Sequence, residues 1–297
     1  MMPAAAKTAV GFRNILFATD FSPAATRAIP YIKRIAKHYD ADLVALHVHS
    51  PLVNPMTPPG TWAIDFEAEK AQNQQHREEL LRSFVGIRTQ VLIEEGGIQS
   101  RLQAAMERNN TDLVVIGTRG RTGLGKLLLG SVAEEIFRTW TCPVLTVGPH
   151  ADASRGADGQ LHEILYATDF TSESQTAAAY AVSMAQEFQA RLVLLHVFPE
   201  QEAGDLVSAS DVAASSRALL QKLVPAEAEA WCKTECFVER GNPADKILEL
   251  AQLRESDLIV LGAKPGEGVP GAATHLPIAT AHKVVSQATC PVLTIRG

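Results

Sequence analysis

Short apolar runs rich in β-branched residues alternate with longer segments of helical pattern along the whole chain. In the first half the runs predict strands near 14–19, 42–48, 88–94, 112–116 and 143–147. The intervening segments predict helices near 23–38, 65–84, 98–109 and 131–139. Ser22 and Ser131 precede two of these helices as capping residues. Because the strands are apolar on both faces, the pattern predicts an α/β fold with a doubly wound parallel sheet of five strands.

The second half of the chain repeats the first. The segment NILFATDFSPAATRAI, from Asn14, returns as EILYATDFTSESQTAA, and TCPVLTVG returns as TCPVLTIRG. Asp20 and Asp169 are 149 positions apart, and Cys142 and Cys290 are 148 apart. This near-constant offset predicts two tandem domains, called here the first and second copies. We predict domains at 1–148 and 162–297 with a linker at 149–161, and the second copy repeats the strands near 163–168, 191–197, 234–238, 257–261 and 291–295.

Composition narrows the class of protein. The 297 residues carry a net charge of −6, which argues against nucleic-acid binding, and 46% apolar residues suffice for two globular cores. No apolar run approaches the ~20 residues of a membrane span, and no signal segment opens the chain. We therefore expect a cytoplasmic protein without a membrane partner, whose four cysteines are reduced. His47 and His196 fall within apolar strands, where we expect structural roles.

A glycine-rich segment with positive charge follows the fourth strand of the first copy. The sequence GTRGRTGLGKLLLGS, Gly117–Ser131, has five glycines, three cations and no acid. Glycine lets a ligand approach backbone N–H groups, and the start of the next helix favours an anion. Ligands of such sheets bind beyond the carboxyl ends of the strands. The segment therefore predicts a phosphate site at the rim that Ala18–Asp20, His47–His49 and Gly117 share.

Two glycine patterns compete within this segment. Gly120, Gly125 and Lys126 fit the Walker A spacing, but Leu127 stands where that loop needs a hydroxyl for Mg²⁺. The spacing Gly-x2-Gly-x9-Gly-Ser, from Gly117 to Ser131, fits better. It resembles the nucleotide-binding signature of the universal stress protein family, as do ATDFS after the first strand, LHV in the second and CPVLTV in the last.

The resemblance implies an α/β, Rossmann-like fold that binds ATP. The matching positions are Ala18, Thr19, Val48, Ile116 and Gly117 for adenine and nucleoside, and Gly120, Gly130, Ser131 and Val132 for the phosphates. Asp20 would lie near the ribose or a Mg²⁺ ion held through the nucleotide. The loop itself adds the positive charges of Arg119, Arg121 and Lys126.

The second copy has lost this loop. Aligned from the shared TCPVLT, Ile278 stands at the position of Gly130 and Ala279 at that of Ser131. Its segment also carries an acid, Glu267, where the first loop is cationic. We therefore expect the first copy alone to bind ATP, although Asp169 keeps part of the nucleoside cleft.

Three roles remain open for the whole chain. A nucleotide-responsive regulatory protein is favoured over a slow Mg²⁺-dependent ATPase, because no residue of the loop is an obvious water-positioning group. A scaffold without nucleotide could use the proline-rich segment His49–Glu69 as a recognition loop. The resemblance further implies dimerisation through the last strand, either between the two copies as a pseudo-dimer or between chains as a homo-oligomer.

Overall fold

The computed structural model describes most of the chain. The described residues are 10–49, 62–118, 142–152, 154, 159–198, 209–226, 228, 231–263 and 276–296, with only the backbone for 62–69, 209 and 276–279. They form two compact units. One is Phe12–Gly117, and the other comprises the described residues from Thr118 onward together with residues 10–11.

In the unit Phe12–Gly117 the described residues form four parallel strands in the order β3-β2-β1-β4. The strands are β1 Asn14–Ala18, β2 Asp42–His49, β3 Thr89–Glu95 and β4 Leu113–Gly117. The helices are α1 Pro23–Thr26, α2 Ile29–Tyr39, α3 Trp62–Ser83 and α4 Ile98–Arg108. The central strand β1 is buried on both faces, with Ile15, Leu16 and Phe17 at most 1% exposed. The prediction of parallel α/β structure is thus confirmed, and the central strand is covered on both faces, whereas the edge strand β3 is only partly buried.

The prediction of a single helix at 23–38 is wrong in one respect, because the structure has two separate helices there, α1 and α2. Pro30 stands in the first turn of α2 and has no N–H to donate to the carbonyl of Thr26, four residues earlier. Its ring would also clash with that carbonyl in a continuous helix. The predicted cap at Ser22 is confirmed, since its hydroxyl oxygen accepts a hydrogen bond from the N–H of Ala25 at 3.3 Å.

In the other unit the described strands follow the order β5-β10-β9-β6-β7-β8. The strands are β5 Val144–Val147, β6 Glu163–Thr168, β7 Arg191–Phe198, β8 Thr234–Arg240, β9 Leu258–Gly262 and β10 Val292–Ile295. The helices are α5 Ser172–Phe188, α6 Ala209–Lys222, α7 Pro243–Leu253 and α8 Leu276–Gln287. Strands β6 to β10 repeat the parallel pattern.

Strand β5 ends the first copy in sequence, but it pairs antiparallel with β10, the last strand of the second copy. Leu145 lies opposite Leu293, and both side chains are buried. Each strand thereby covers the apolar edge of the other. The predicted domain boundaries at 148 and 162 follow the sequence repeat, and they stay a prediction.

The repeat extends to unusual backbone conformations. Phe21 and Phe170 have φ of 57° and 61°, directly after the aspartates that end the ATD motifs. A left-handed conformation is uncommon for a bulky residue. Both copies therefore turn the chain by the same corner between their first strand and the helix that follows.

Glycine ends the fourth strand of each copy for a packing reason. A Cβ on Gly117 would lie 2.4 Å from the carbonyl oxygen of Ala24, and one on Gly262 would lie 2.4 Å from Cα of Ser174. The strand end is pressed against the start of a helix in both cases. Because the second copy keeps this glycine without the glycine loop, close packing explains the residue type in both copies.

Candidate functional site

The candidate site lies where three parallel strands of the unit Phe12–Gly117 end. Ala18, the last residue of β1, pairs with Leu46 of β2 on one side and Ile116 of β4 on the other. The N–H of Thr19 continues this pairing with a 3.0 Å hydrogen bond to the carbonyl of Leu46. The backbone of Ala18 and Thr19 therefore forms the centre of the rim.

The corner after Thr19 is fixed by two short side chains. The Thr19 hydroxyl oxygen accepts a hydrogen bond from the N–H of Phe21 at 3.0 Å, and Asp20 Oδ1 accepts one from the N–H of Ser22 at 2.9 Å. Thr19 is buried, whereas Asp20 is exposed at the rim. These bonds stabilise the left-handed conformation of Phe21 and present the Asp20 carboxylate to solvent.

An aromatic stack braces the same corner. His47 Nδ1 lies 2.9 Å from the carbonyl oxygen of Thr19, and the Phe21 ring centroid lies 4.5 Å from the His47 ring and 4.3 Å from the His76 ring. The second copy repeats the first of these contacts with His196 and the carbonyl of Thr168, again at 2.9 Å. The structural roles predicted for His47 and His196 are confirmed.

The described part of the predicted site is brought together at this rim. Ala18, Thr19, Asp20, Val48, Ile116 and Gly117 all lie at or next to the carboxyl ends of β1, β2 and β4. The remaining predicted positions lie outside the described residues, as does the predicted helix 131–139; they are Arg119, Gly120, Arg121, Lys126, Gly130, Ser131 and Val132. Sequence reasoning missed Phe21 and His76, although the repeated ATDF motif marks the first of them.

The equivalent aspartate of the second copy is hydrogen-bonded to its own corner. Asp169 Oδ1 accepts hydrogen bonds from the Thr171 hydroxyl at 2.6 Å, the Ser174 hydroxyl at 2.8 Å and the Thr171 N–H at 3.1 Å. The residue of the first copy that corresponds to Ser174 is Ala25, which has no hydroxyl. The two copies therefore differ at the carboxylate as well as in the loop.

These donors control the ionisation of Asp169. Burial is the largest influence and would by itself raise the pKa of Asp169, but the hydroxyls of Thr171 and Ser174 and the Thr171 N–H together lower it below its usual value. A lowered carboxyl pKa means that the ionised form is favoured by the folded state. The network therefore stabilises the fold while Asp169 is charged.

We expect the stability that this network supplies to disappear at acid pH. It is fully present above the ordinary aspartate pKa of about 3.9 and is lost as pH falls through the lower pKa of the folded state. Asp169→Asn should cost about 1 kcal/mol at pH 7, at the low end for hydrogen bonds to a charged group, because Asp169 is exposed and water screens its charge. Thermal unfolding of both proteins between pH 7 and about pH 2 measures this, and the two curves should converge toward the acid end.

The matched variant is Ser174→Ala, which gives the second copy the alanine that the first has at Ala25. It removes one of the hydrogen bonds to Asp169 and should reduce the acid dependence by less than Asp169→Asn does. Parallel loss of stability by the wild type and Asp169→Asn across the whole range would contradict the proposed linkage.

Neither a metal cluster nor a membrane helix occurs among the described residues. Within them, no three His, Cys, Asp or Glu side chains are grouped so as to hold a metal ion. No helix in that part of the chain has the length and apolar character needed to cross a membrane. All four cysteines are free thiols.

The fold and its rim define a tandem α/β protein with two related copies. Residues 11–148 and 161–296 each match the model of the Universal stress protein family, and the chain belongs to this family. It is 27% identical over 297 residues to a universal stress protein of Mycolicibacterium smegmatis, covering 95% of this chain and 97% of that protein. It is 34% identical over 142 residues to one of Methanocaldococcus jannaschii, covering 46% of this chain and 82% of the relative.

A solved structure shows the same fold over nearly the whole chain. The universal stress protein from Archaeoglobus fulgidus aligns with a TM-score of 0.70 at 20% identity, covering 95% of this chain and 98% of that one. The prediction that this chain is a tandem-domain member of the universal stress protein family is therefore confirmed.

Proposed function

We propose that this chain is a nucleotide-responsive regulatory protein that holds one ATP in its first copy. The observation that carries the proposal is the rim around Ala18, where β1, β2 and β4 end together. Gly117 ends β4 there, and the glycine-rich cationic segment follows it directly in the sequence. Bare N–H groups and positive charge next to a sheet rim suit a polyphosphate.

Mg²⁺ would reach this site together with the nucleotide. The exposed carboxylate of Asp20 offers hard oxygen ligands of the kind that Mg²⁺ prefers. One carboxylate with substrate phosphates is a common arrangement for this ion. The ion would neutralise phosphate charge, while the chain itself supplies the backbone around Ala18 and Thr19.

We propose binding rather than hydrolysis as the role of the site. Hydrolysis needs a group that orients the attacking water and charge that compensates the γ-phosphate. The two imidazoles at this corner, His47 and His76, both pack on the ring of Phe21, and His47 also contacts the carbonyl oxygen of Thr19. A bound nucleotide would then act by favouring one conformation or one partner over another.

We expect the second copy to contribute to the fold without binding nucleotide. Its aspartate is held by Thr171 and Ser174, and its sequence places Ile278 where the first copy has Gly130. A β-branched residue cannot allow the close backbone approach that phosphate needs. The pairing of β5 with β10 supports an assembly of the two copies as a pseudo-dimer within one chain.

Calorimetric titration of the full chain with ATP, with and without Mg²⁺, tests this proposal. We expect one ATP to bind per chain, because only the first copy has the glycine-rich segment. Two sites of equal affinity would contradict the proposed difference between the copies. No binding under either condition would contradict the nucleotide role itself.

A further inference from the structure

A polar cleft lies between α3 and the edge strand β3, in the unit Phe12–Gly117. Its volume is about 300 Å³, within the range of small-molecule sites. None of the described positions proposed to contact the nucleotide lines this cleft, although His49, at the end of β2, does. The lining residues that matter here are Lys70, Asn73 and Arg77 of α3 and Val91, Ile93 and Glu95 of β3.

Secondary structure explains why these side chains converge. Lys70 and Arg77 are seven positions apart, so they share one face of α3 two turns from each other. Val91, Ile93 and Glu95 alternate along β3 and therefore point to one face of the sheet. The cleft thus has an apolar floor at Val91 and Ile93 and two cations on its helical wall.

Both cations are available to a ligand. Lys70 and Arg77 are exposed, and neither forms a hydrogen bond or ion pair within the part of the chain that the structure describes. Arg82 of the same helix, by contrast, pairs with Glu78 at 3.3 Å. Two unneutralised cations above an apolar floor suit a molecule with an anionic head and an apolar body.

The second copy shows that this polar lining is not a requirement of the fold. Aligning the buried leucines near the ends of α3 and α6, Leu80 and Leu220, places Ser210 at the position of Lys70 and Ala213 at that of Asn73. Glu95 is replaced by Arg240, because their strands pair in the same register with β2 and β7. The lining therefore belongs to the first copy.

The arginine of the second copy that corresponds to Arg77 makes a different contact. Arg217 stands at the position of Arg77, and its guanidinium donates a hydrogen bond to the carbonyl of Cys236 at 3.1 Å. Cys236 takes the place of Val91, since they pair with Leu194 and Ala45 at equivalent positions of the two sheets. The arginine of the second copy thus binds its own edge strand, whereas that of the first copy faces an open cleft.

We propose that the cleft between α3 and β3 binds a small amphiphilic anion. A carboxylate or phosphate head lies between Lys70 and Arg77, and an apolar body lies on Val91 and Ile93. Glu95 lines the same cleft, and its negative charge repels the anionic head group and weakens its binding. This site is separate from the proposed nucleotide site, so a negative result at one site does not contradict the proposal for the other.

The test titrates the isotopically labelled full chain with octanoate and follows the backbone amide signals by NMR. We expect saturable shifts confined to residues 70–77 and 91–95. The double variant Lys70→Ala/Arg77→Ala should bind about tenfold more weakly, since it removes two charged contacts to the head group. Arg82→Ala, the matched control on the same helix, should bind as the wild type does.

A variant that is expected to bind octanoate more tightly separates a binding effect from unfolding, because unfolding can only lower the affinity. Glu95→Gln removes the like charge and is expected to bind octanoate about two- to threefold more tightly, a small electrostatic gain at an exposed site. Octyl phosphate in place of octanoate distinguishes the two head groups, and octylamine should bind more weakly than either. Unchanged affinity in the double variant, shifts centred on residues 18–20 and 116–117, or displacement of octanoate by ATP would each overturn the proposal.

Discussion

Gly130→Val is expected to abolish ATP binding, with an affinity at least about 100-fold lower, while the protein remains folded. Gly130 lies outside the described residues, and its expected role follows from the sequence and from the rim at Gly117 that precedes the loop. The pair Gly130–Ser131 begins the predicted last helix of the first copy, where N–H groups would bind the phosphates. A valine side chain would occupy the space that the phosphates need, and it would do so without changing any strand.

Calorimetry with ATP and thermal unfolding should be measured on the same preparations. The matched control is Ile278→Val, at the equivalent position of the second copy, which should change neither stoichiometry nor affinity. Wild-type affinity in Gly130→Val would refute the site. Loss of ATP binding in Ile278→Val would show instead that the second copy holds the nucleotide.

Arg254→Ala is expected to lower the free energy of unfolding by about 2 kcal/mol, because it removes one of the two arginines that compensate a buried carboxylate. Glu163, at the start of β6, has a side chain only 2% exposed. Its Oε2 lies 3.2 Å from Nη2 of Arg254 and 3.3 Å from Nη2 of Arg191, and its Oε1 accepts a hydrogen bond from the Ser256 hydroxyl at 3.2 Å. Arg254 also pairs with Glu235 of β8.

The cost should come mainly from the charge of Glu163, which Arg191 alone would then compensate, and less from the lost contact. Adding Glu163→Gln to Arg254→Ala is therefore expected to restore much of the stability, since the amide carries no charge to desolvate. The midpoint of denaturant unfolding in the four proteins of this double-mutant cycle measures the coupling. Additive losses in the double variant would contradict the explanation.

A surface arginine provides the control for this cycle. Arg88 pairs with Asp40 at 3.0 Å and also with Asp42, but its side chain is 61% exposed. Water solvates these groups in the folded and unfolded states alike. Arg88→Ala should therefore shift the unfolding midpoint far less than Arg254→Ala.

The strands were predictable because parallel strands covered on both faces read as continuous apolar runs. The runs around Leu16 and Val44 therefore gave their positions to within a few residues. The break between α1 and α2 was missed, although Pro30 marks it, because the apolar periodicity continues across the break. The pairing of β5 with β10 could not be chosen in advance, since an apolar edge strand does not specify its partner.

The position of the rim followed from topology, because the carboxyl ends of parallel strands meet at one edge. The sequence repeat shows that Ser174 has a hydroxyl where Ala25 has none. The hydrogen bond of that hydroxyl to Asp169 could not be predicted, because it depends on the left-handed corner at Phe170. The contacts of Glu163 with Arg254 join residues 91 positions apart. Only the folded sheet brings such distant charges together.

The antiparallel contact of β5 with β10 is supplied by a single polypeptide. Its formation therefore obeys unimolecular kinetics, and dilution cannot dissociate the two strands as it would the subunits of a separate dimer. Selection can also act on each strand and each copy individually, because no symmetry obliges both halves to keep the same sequence. The two copies can therefore differ at matching positions, as they do at Ala25 and Ser174, where the subunits of a homodimer would be identical.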